Sequence, residues 1–146
     1  MADRVTPETR SRMMASIRSR DTKPELIVRR YLHRAGFRYR ISPRTLPGRP
    51  DIVLRRHRVA VFVHGCFWHG HQGCRFARIP TTRTAFWADK ISSNRVRDRA
   101  KEALLIQSDW RVAVVWECAL KGSQDTALQR LVAFILADDQ SIDISA

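Results

Sequence analysis

The densest chemistry in the chain lies in one loop, His64-Gly65-Cys66-Phe67-Trp68-His69-Gly70-His71-Gln72-Gly73-Cys74. It holds three of the five histidines and two of the three cysteines. Neutral imidazoles and free thiols gain little from adjacency in a glycine-rich loop, so packing accounts poorly for the cluster. The third cysteine, Cys118, follows an apolar run at 110–116. Cys66, His71, Cys74 and Cys118 would supply three thiolates and one imidazole, the donor set of a closed, structural Zn²⁺ site. Such a site would tie the loop to the end of the 110–116 strand. The plainer alternative is a set of free thiols, with Cys118 an ordinary buried cysteine. A disulfide is disfavoured: an odd count leaves one thiol over, and the start MADRVTPETR lacks the apolar core of a secretory signal.

That zinc set leaves His64 and His69 over. Each could simply bond to backbone, but a histidine pair beside an acid also suits acid–base work near neutral pH. Asp51 follows Gly48-Arg49-Pro50 and opens the apolar run Ile52-Val53-Leu54. A carboxylate seldom begins a buried strand without a partner or a metal. A Pro-Asp strand start suggests the Mg²⁺ site of restriction-type nucleases, where a second acid and a lysine ordinarily follow on the next strand. That place here reads Phe62-Val63-His64, so the generic motif is broken and histidine stands in for the missing groups. Glu25 has a purely structural account: Thr22-x-x-Glu25 is a capping box in which Glu25 reaches back to the Thr22 N–H. Spacing alone makes Asp98 a solvated helix acid paired with arginine. Phe67, Trp68, Phe86 and Trp87 fall outside regular apolar periodicity. They either floor the loop or act as wedges that stack on bases.

The elements that must position these groups follow from periodicity and caps. Thr6-Pro7-Glu8 starts a helix carrying Arg10, Arg12, Met13, Met14, Ile17 and Arg18, too polar to pack deeply, so residues 1–20 read as an arm. A second helix starts at Thr22, buries Leu26, Ile27, Tyr31, Leu32 and Ala35, and ends at Gly36. Residues 37–41 alternate with period two and form a strand. Residues 51–54 and 59–63 form a hairpin around the charged turn Arg55-Arg56-His57-Arg58. A long helix over residues 85–107 points Ile91, Val96, Ala100, Ala103 and Leu104 inward; a strand at 110–116 and a helix at 123–137 close the fold. The acidic tail, 138–146, is expected to fray. Because a helix precedes the last strand, that strand can pair in parallel with an earlier one. The expected fold is α/β: a single domain spanning 1–146, with a mixed sheet flanked by helices.

Charge points to the partner. The chain of 146 residues carries 27 Lys+Arg against 14 Asp+Glu, net +13, and 23 of the cations are arginine. Residues 1–60 hold 16 cations and five acids. A cationic half suggests a polyanion, most simply nucleic acid, and arginine's planar fork suits phosphate. No apolar run nears the roughly 20 residues that span a bilayer, so no membrane partner is expected.

These residues together are recognisable. Thr9-Arg10-Ser11, Arg20-Asp21-Thr22, Leu46-Pro47-Gly48-Arg49-Pro50-Asp51, His64-Gly65-Cys66-Phe67-Trp68-His69, Thr82-Arg83-Thr84-x-Phe86-Trp87, Arg97-Asp98-Arg99, Trp110-Arg111-Val112 and Val115-Trp116-Glu117-Cys118-Ala119-Leu120 run in order from residue 9 to 120. The chain resembles the very short patch repair (Vsr) endonucleases, which nick DNA at T:G mismatches. The resemblance implies a restriction-endonuclease-like fold with structural Zn²⁺ and catalytic Mg²⁺. It implies that Asp51 and the Val63 backbone carbonyl hold Mg²⁺, that His69 is the general base on water, and that Asp98 orients it. His64 and Glu25 are implied in the same site, on phosphate or on water at the metal. Phe67, Trp68 and Trp87 resemble the aromatic wedge beside the mismatch, and Met14 the residue that inserts from the opposite groove.

Two positions depart from the family pattern. Val63 stands where a threonine is familiar, which a backbone ligand survives. Cys74 lies one residue further from His71 than in some members. The implied partners are double-stranded DNA with a T:G mismatch left by 5-methylcytosine deamination, then a repair polymerase, a ligase and mismatch-repair proteins. A monomer in the bacterial cytoplasm, at the nucleoid, is the expectation. Two other readings compete: a non-enzymatic zinc module that binds DNA, and a nuclease of the same fold acting on branched or ordinary duplex DNA.

Overall fold

A computed structural model describes residues 21–146. The arm over 1–20, with Met14, lies outside the described residues. Five strands form one sheet in sequence order: β1 (Arg40–Ile41), β2 (Ile52–Leu54), β3 (Val59–His64), β4 (Arg111–Trp116) and β5 (Ser141–Ile144). The β1–β2 and β2–β3 pairs are antiparallel, while β3–β4 and β4–β5 are parallel. The helices are α1 (Lys23–Arg34), α2 (Thr84–Gln107), α3 (Glu117–Lys121) and α4 (Gln124–Leu136). The long α2 is the crossover that lets β4 run parallel to β3.

Period two explains why β3 and β4 are apolar at almost every position. Val59, Val61, Val63, Ala113 and Val115 point to one face, where they meet Val28 and Leu32 of α1 and Leu128, Leu131 and Ile135 of α4. Ala60, Phe62, Val112, Val114 and Trp116 point to the other, where they meet Leu105 of α2 and the two buried cysteines. Both faces are covered, as parallel strands require. The mixed sheet, flanked by helices within a single domain, is as expected from the sequence.

Three expectations need correction. The strand at 37–41 keeps only Arg40 and Ile41; Phe37 and Tyr39 instead pack their rings against the core from irregular chain. The tail does not fray. Ser141–Ile144 pairs with β4 in the register Val112↔Ser141 to Val115↔Ile144. Ile144 is fully buried, and Asp143 accepts the indole N–H of Trp116 at 2.7 Å. Burial of one isoleucine, worth about 1.5–3 kcal/mol, outweighs the acidic composition around it. Arg111 holds the approach to this strand through the carbonyls of Phe134, Ile135 and Asp139.

The third correction concerns α2. Val96 and Leu104 are exposed, as are Ala100 and Ala103, whereas Trp87, Ile91 and Leu105 are buried. The inward stripe is Trp87, Ile91, Asn94, Asp98, Lys101 and Leu105, which follows helical spacing throughout. Its middle is polar because it faces a cleft rather than the core.

Candidate active site

The cleft opens where β2 begins and β3 ends. It has a volume of about 930 Å³, and Glu25, Asp51, His64, His69, Asp98 and Lys101 line it. Antiparallel pairing of Ile52 with Val61 brings the start of β2 beside the end of β3. Asp51 therefore meets Val63, whose N–H donates to its Oδ2 at 2.7 Å. Burial is the main force pushing the Asp51 carboxyl up to about 7; the Val63 N–H opposes it and the nearby Glu25 charge adds to it. A carboxylate that is ionised only at such a cost is one that a cation would stabilise.

Glu25 comes from the first turn of α1. The Thr22 hydroxyl accepts the Glu25 N–H at 3.4 Å, as the capping motif requires. The return bond differs from expectation: Glu25 Oε2 accepts the N–H of Asp21, at 2.9 Å, rather than that of Thr22. The same oxygen takes a bond from Arg29 at 3.1 Å, one turn along. Burial raises the Glu25 carboxyl, and the Asp21 and Arg29 contacts partly offset it. Glu25 is thus both a cap and a buried wall of the cleft.

His69 and Asp98 do not behave as separate loop and surface residues. His69 Nδ1 lies 2.6 Å from Asp98 Oδ2. An ionised carboxylate only accepts, so Nδ1 carries the proton and Nε2 keeps its lone pair. Burial by itself raises the Asp98 carboxyl, but the His69 bond, with Lys101 and the neighbouring imidazoles, holds it below its ordinary value. Asp98 is therefore not the solvated, arginine-paired acid that spacing alone suggests. His64 stacks flat on His69, with centroids 3.8 Å apart and planes 3° from parallel. Burial, then the His69 charge, pushes the His64 imidazole down to about 3. His64 is neutral at neutral pH, so it adds no like charge when His69 takes a proton.

The loop is mounted on the α2 stripe. Asn94 donates to the Trp68 carbonyl at 2.8 Å, and Asp98 holds His69 one turn on. Gly70, at φ +60°, lies so close to the helix that a Cβ there would run into Ile91 and come within 2.7 Å of Arg95 Cδ. Phe67, Trp68 and Trp87 pack edge to face at 5.3–5.9 Å between centroids. Trp87 is buried, and Phe67 and Trp68, which pack against it, are half-buried. Sequence reasoning missed Asn94 and Lys101; the helical spacing from Trp87 to Leu105 was the signal that could have found them.

Behind this cleft the cysteines converge. One donor atom each from Cys66, His71, Cys74 and Cys118 lie within 4.8 Å of one another, close enough to hold a metal ion. The Cys118 N–H donates to Cys66 Sγ at 3.3 Å, and Cys118 Sγ is 3.5 Å from His71 Nδ1. Burial drives the Cys66 thiol up to about 12, so its thiolate needs a cation beside it. Gly73, at φ +70°, lies between His71 and Cys74. His71 also stacks on Trp116, at 4.0 Å and 8°. The cluster thus ties the loop to the β4–α3 junction. His64, His69 and Asp98 form a second group compact enough for a metal, although the His69–Asp98 bond already occupies one donor on each.

Comparison with known proteins identifies the family. The family described as DNA mismatch endonuclease Vsr matches residues 2–75. A type II nicking enzyme of Xanthomonas oryzae pv. oryzae is 48% identical over 134 residues, covering 90% of this chain and 98% of that protein. The DNA mismatch endonuclease Vsr of Escherichia coli is 43% identical over 148 aligned positions, covering 99% of this chain and 94% of that protein. A type II nicking enzyme of Neisseria meningitidis is 46% identical over 122 residues, or 84% of this chain and 86% of that protein. The chain belongs to the Vsr family of DNA endonucleases.

Proposed function

We propose that this protein nicks one strand of duplex DNA beside the T of a T:G mismatch, by Mg²⁺-dependent phosphodiester hydrolysis, and so begins very short patch repair. The observation that carries the reading is one cleft, lined in part by Phe67 and Trp68, that holds Asp51, a half-buried carboxyl in need of a cation, and the hydrogen-bonded His69–Asp98 pair. Carboxylate and carbonyl oxygens are the donors that Mg²⁺ prefers, and Asp51 with the Val63 carbonyl would hold it. When bound, that ion would polarise the phosphate and offset charge on the leaving oxygen.

The chain's own groups do the rest. Asp98 fixes the tautomer and orientation of His69, which leaves Nε2 to take a proton from the attacking water. Neutral His64 supports the ring by stacking. Glu25 completes the acidic wall against phosphate and water. Phe67, Trp68 and Trp87 form the aromatic wedge beside the mismatch, and Met14 inserts from the opposite groove. A wobble pair unstacks more readily than a matched pair, so deformability contributes to selection. Cys66, His71, Cys74 and Cys118 hold a structural Zn²⁺, three thiolates and an imidazole being a zinc donor set. The protein acts as a monomer in the bacterial cytoplasm, at the nucleoid, and hands its nick to a repair polymerase, a ligase and mismatch-repair proteins. No helix among the described residues is long and apolar enough to cross a membrane.

The test is a comparison of matched, T:G and branched duplexes on one gel, with and without Mg²⁺. Nicking of the T:G strand alone, dependent on the ion, is expected. Equal cleavage of branched or matched DNA would assign the fold to a different substrate, and binding without cleavage would make it a DNA-binding module.

A further inference from the structure

The lysine missing from the β3 motif has a counterpart elsewhere in the cleft. Of the four lysines in the chain, only Lys101 lines it. It comes from α2, three residues after Asp98 on the same helical face. Its stem is held: Gly48, at φ +76°, lies so near that a Cβ there would fall 2.7 Å from Lys101 Cβ and 2.8 Å from Cγ. The bare backbone of the loop that delivers Asp51 thus presses on the lysine stem. Lys101 is half-buried and makes no ion pair among the described residues. Its charge nevertheless reaches Asp98 and His64. A cation with a fixed stem and no ion-pair partner among the described residues, on the wall of an acidic cleft, is ready for an anion that arrives from outside.

We propose that Lys101 is a catalytic residue that donates to a non-bridging oxygen of the scissile phosphate. This rests on the nicking reading given above. In that step a water oxygen bonds to phosphorus and one phosphorus–oxygen ester bond breaks. The water proton goes to His69 Nε2, and the leaving oxygen takes a proton from solvent. Lys101 exchanges no proton; it holds the phosphoryl oxygens as negative charge gathers on them.

The test replaces Lys101 by Met, which keeps the stem against Gly48, and by Gln as a second neutral variant. Arg56→Met is the charge control, because the β2–β3 turn lies at the opposite end of these strands from Asp51 and His64. Nicking of a T:G duplex in Mg²⁺ should slow at least tenfold in kcat for both Lys101 variants, with unchanged melting temperature, and stay at the wild-type rate in the control. A kcat within twofold of wild type, or an equal loss in Arg56→Met, overturns the assignment. A second readout needs no Mg²⁺: the salt dependence of binding to the same duplex should flatten by about 0.9 in log–log slope for Lys101→Met, the value of one phosphate contact. An unchanged slope also overturns it. If wild type nicks no duplex at all, the nicking reading fails, and the binding slope still decides whether Lys101 meets phosphate.

Discussion

Asp51→Asn separates what the site does from what it costs. A carboxyl held at about 7 instead of its ordinary 3.8 penalises the ionised folded protein. At 1.36 kcal/mol per pH step, the ceiling is about 4 kcal/mol; allowing for the solvent that an open cleft admits, about 2 kcal/mol is the working value. The sign follows from proton counting. Between 3.8 and about 7 the folded protein binds more protons than the unfolded chain at this residue, so stability falls as pH rises through that window. Asparagine carries no charge, and its oxygen can still accept the Val63 N–H. Without Mg²⁺, the variant should therefore melt higher than wild type at pH 8, by roughly 6 °C for a domain of this size. The advantage should shrink toward pH 5.5. Mg²⁺ should raise the wild-type melting temperature and leave the variant unmoved, while nicking is abolished. Thermal melts of zinc-loaded protein at several pH values, repeated with Mg²⁺, measure all of this. A variant less stable than wild type at pH 8, or a difference flat with pH, would refute the account of Asp51 as a carboxyl awaiting a cation.

Three further outcomes are expected. Cys118→Ser should lose both bound zinc and several kcal/mol of stability, since metal binding and folding are one equilibrium in such sites; elemental analysis showing a full equivalent of zinc would remove Cys118 from the ligand set. Gly70→Ala forces a side chain at positive φ against Ile91 and should cost about 1–3 kcal/mol while slowing nicking, because the displaced loop carries His69. Wild-type melting in that variant would mean the loop is not pressed on α2. Ile144→Ala should destabilise by about 2–4 kcal/mol in denaturant titration, and a change under 0.5 kcal/mol would show that β5 contributes little.

Much of this was legible without coordinates, for physical reasons. The His–Cys loop declared itself through residue types that have no other reason to cluster, and the four proposed zinc donors do converge. The β2–β3 hairpin, with Asp51 at its mouth, could be read from two apolar runs around a charged turn. What failed was the assumption that an inward helical face is apolar. Along α2 the inward stripe passes through Asn94, Asp98 and Lys101, so the apolar residues Val96 and Leu104 suggested the wrong rotation. The tail failed similarly: its composition is acidic, but Ile142 and Ile144 alternate with polar residues, and that pattern decided the outcome. Asp98 looked solvated because its partner, 29 residues earlier, is a matter of tertiary structure and not of spacing.

The mounting of the loop on α2 also bears on how such a chain can change length over generations. Each residue gained or lost within a helix turns everything beyond it by about 100° and moves it about 1.5 Å. One deletion between Ile91 and Asp98 would carry Asp98 and Lys101 away from the cleft while Trp87 stayed against Phe67 and Trp68. The aromatic cluster would then keep its place while His69 lost its Asp98 partner. The segment from His71 to Cys74 is loop, so a change in its length imposes no such rotation. Length variation in descendants of this sequence should therefore collect in the loops and spare residues 87 to 105, whatever substitutions accumulate on the outer face.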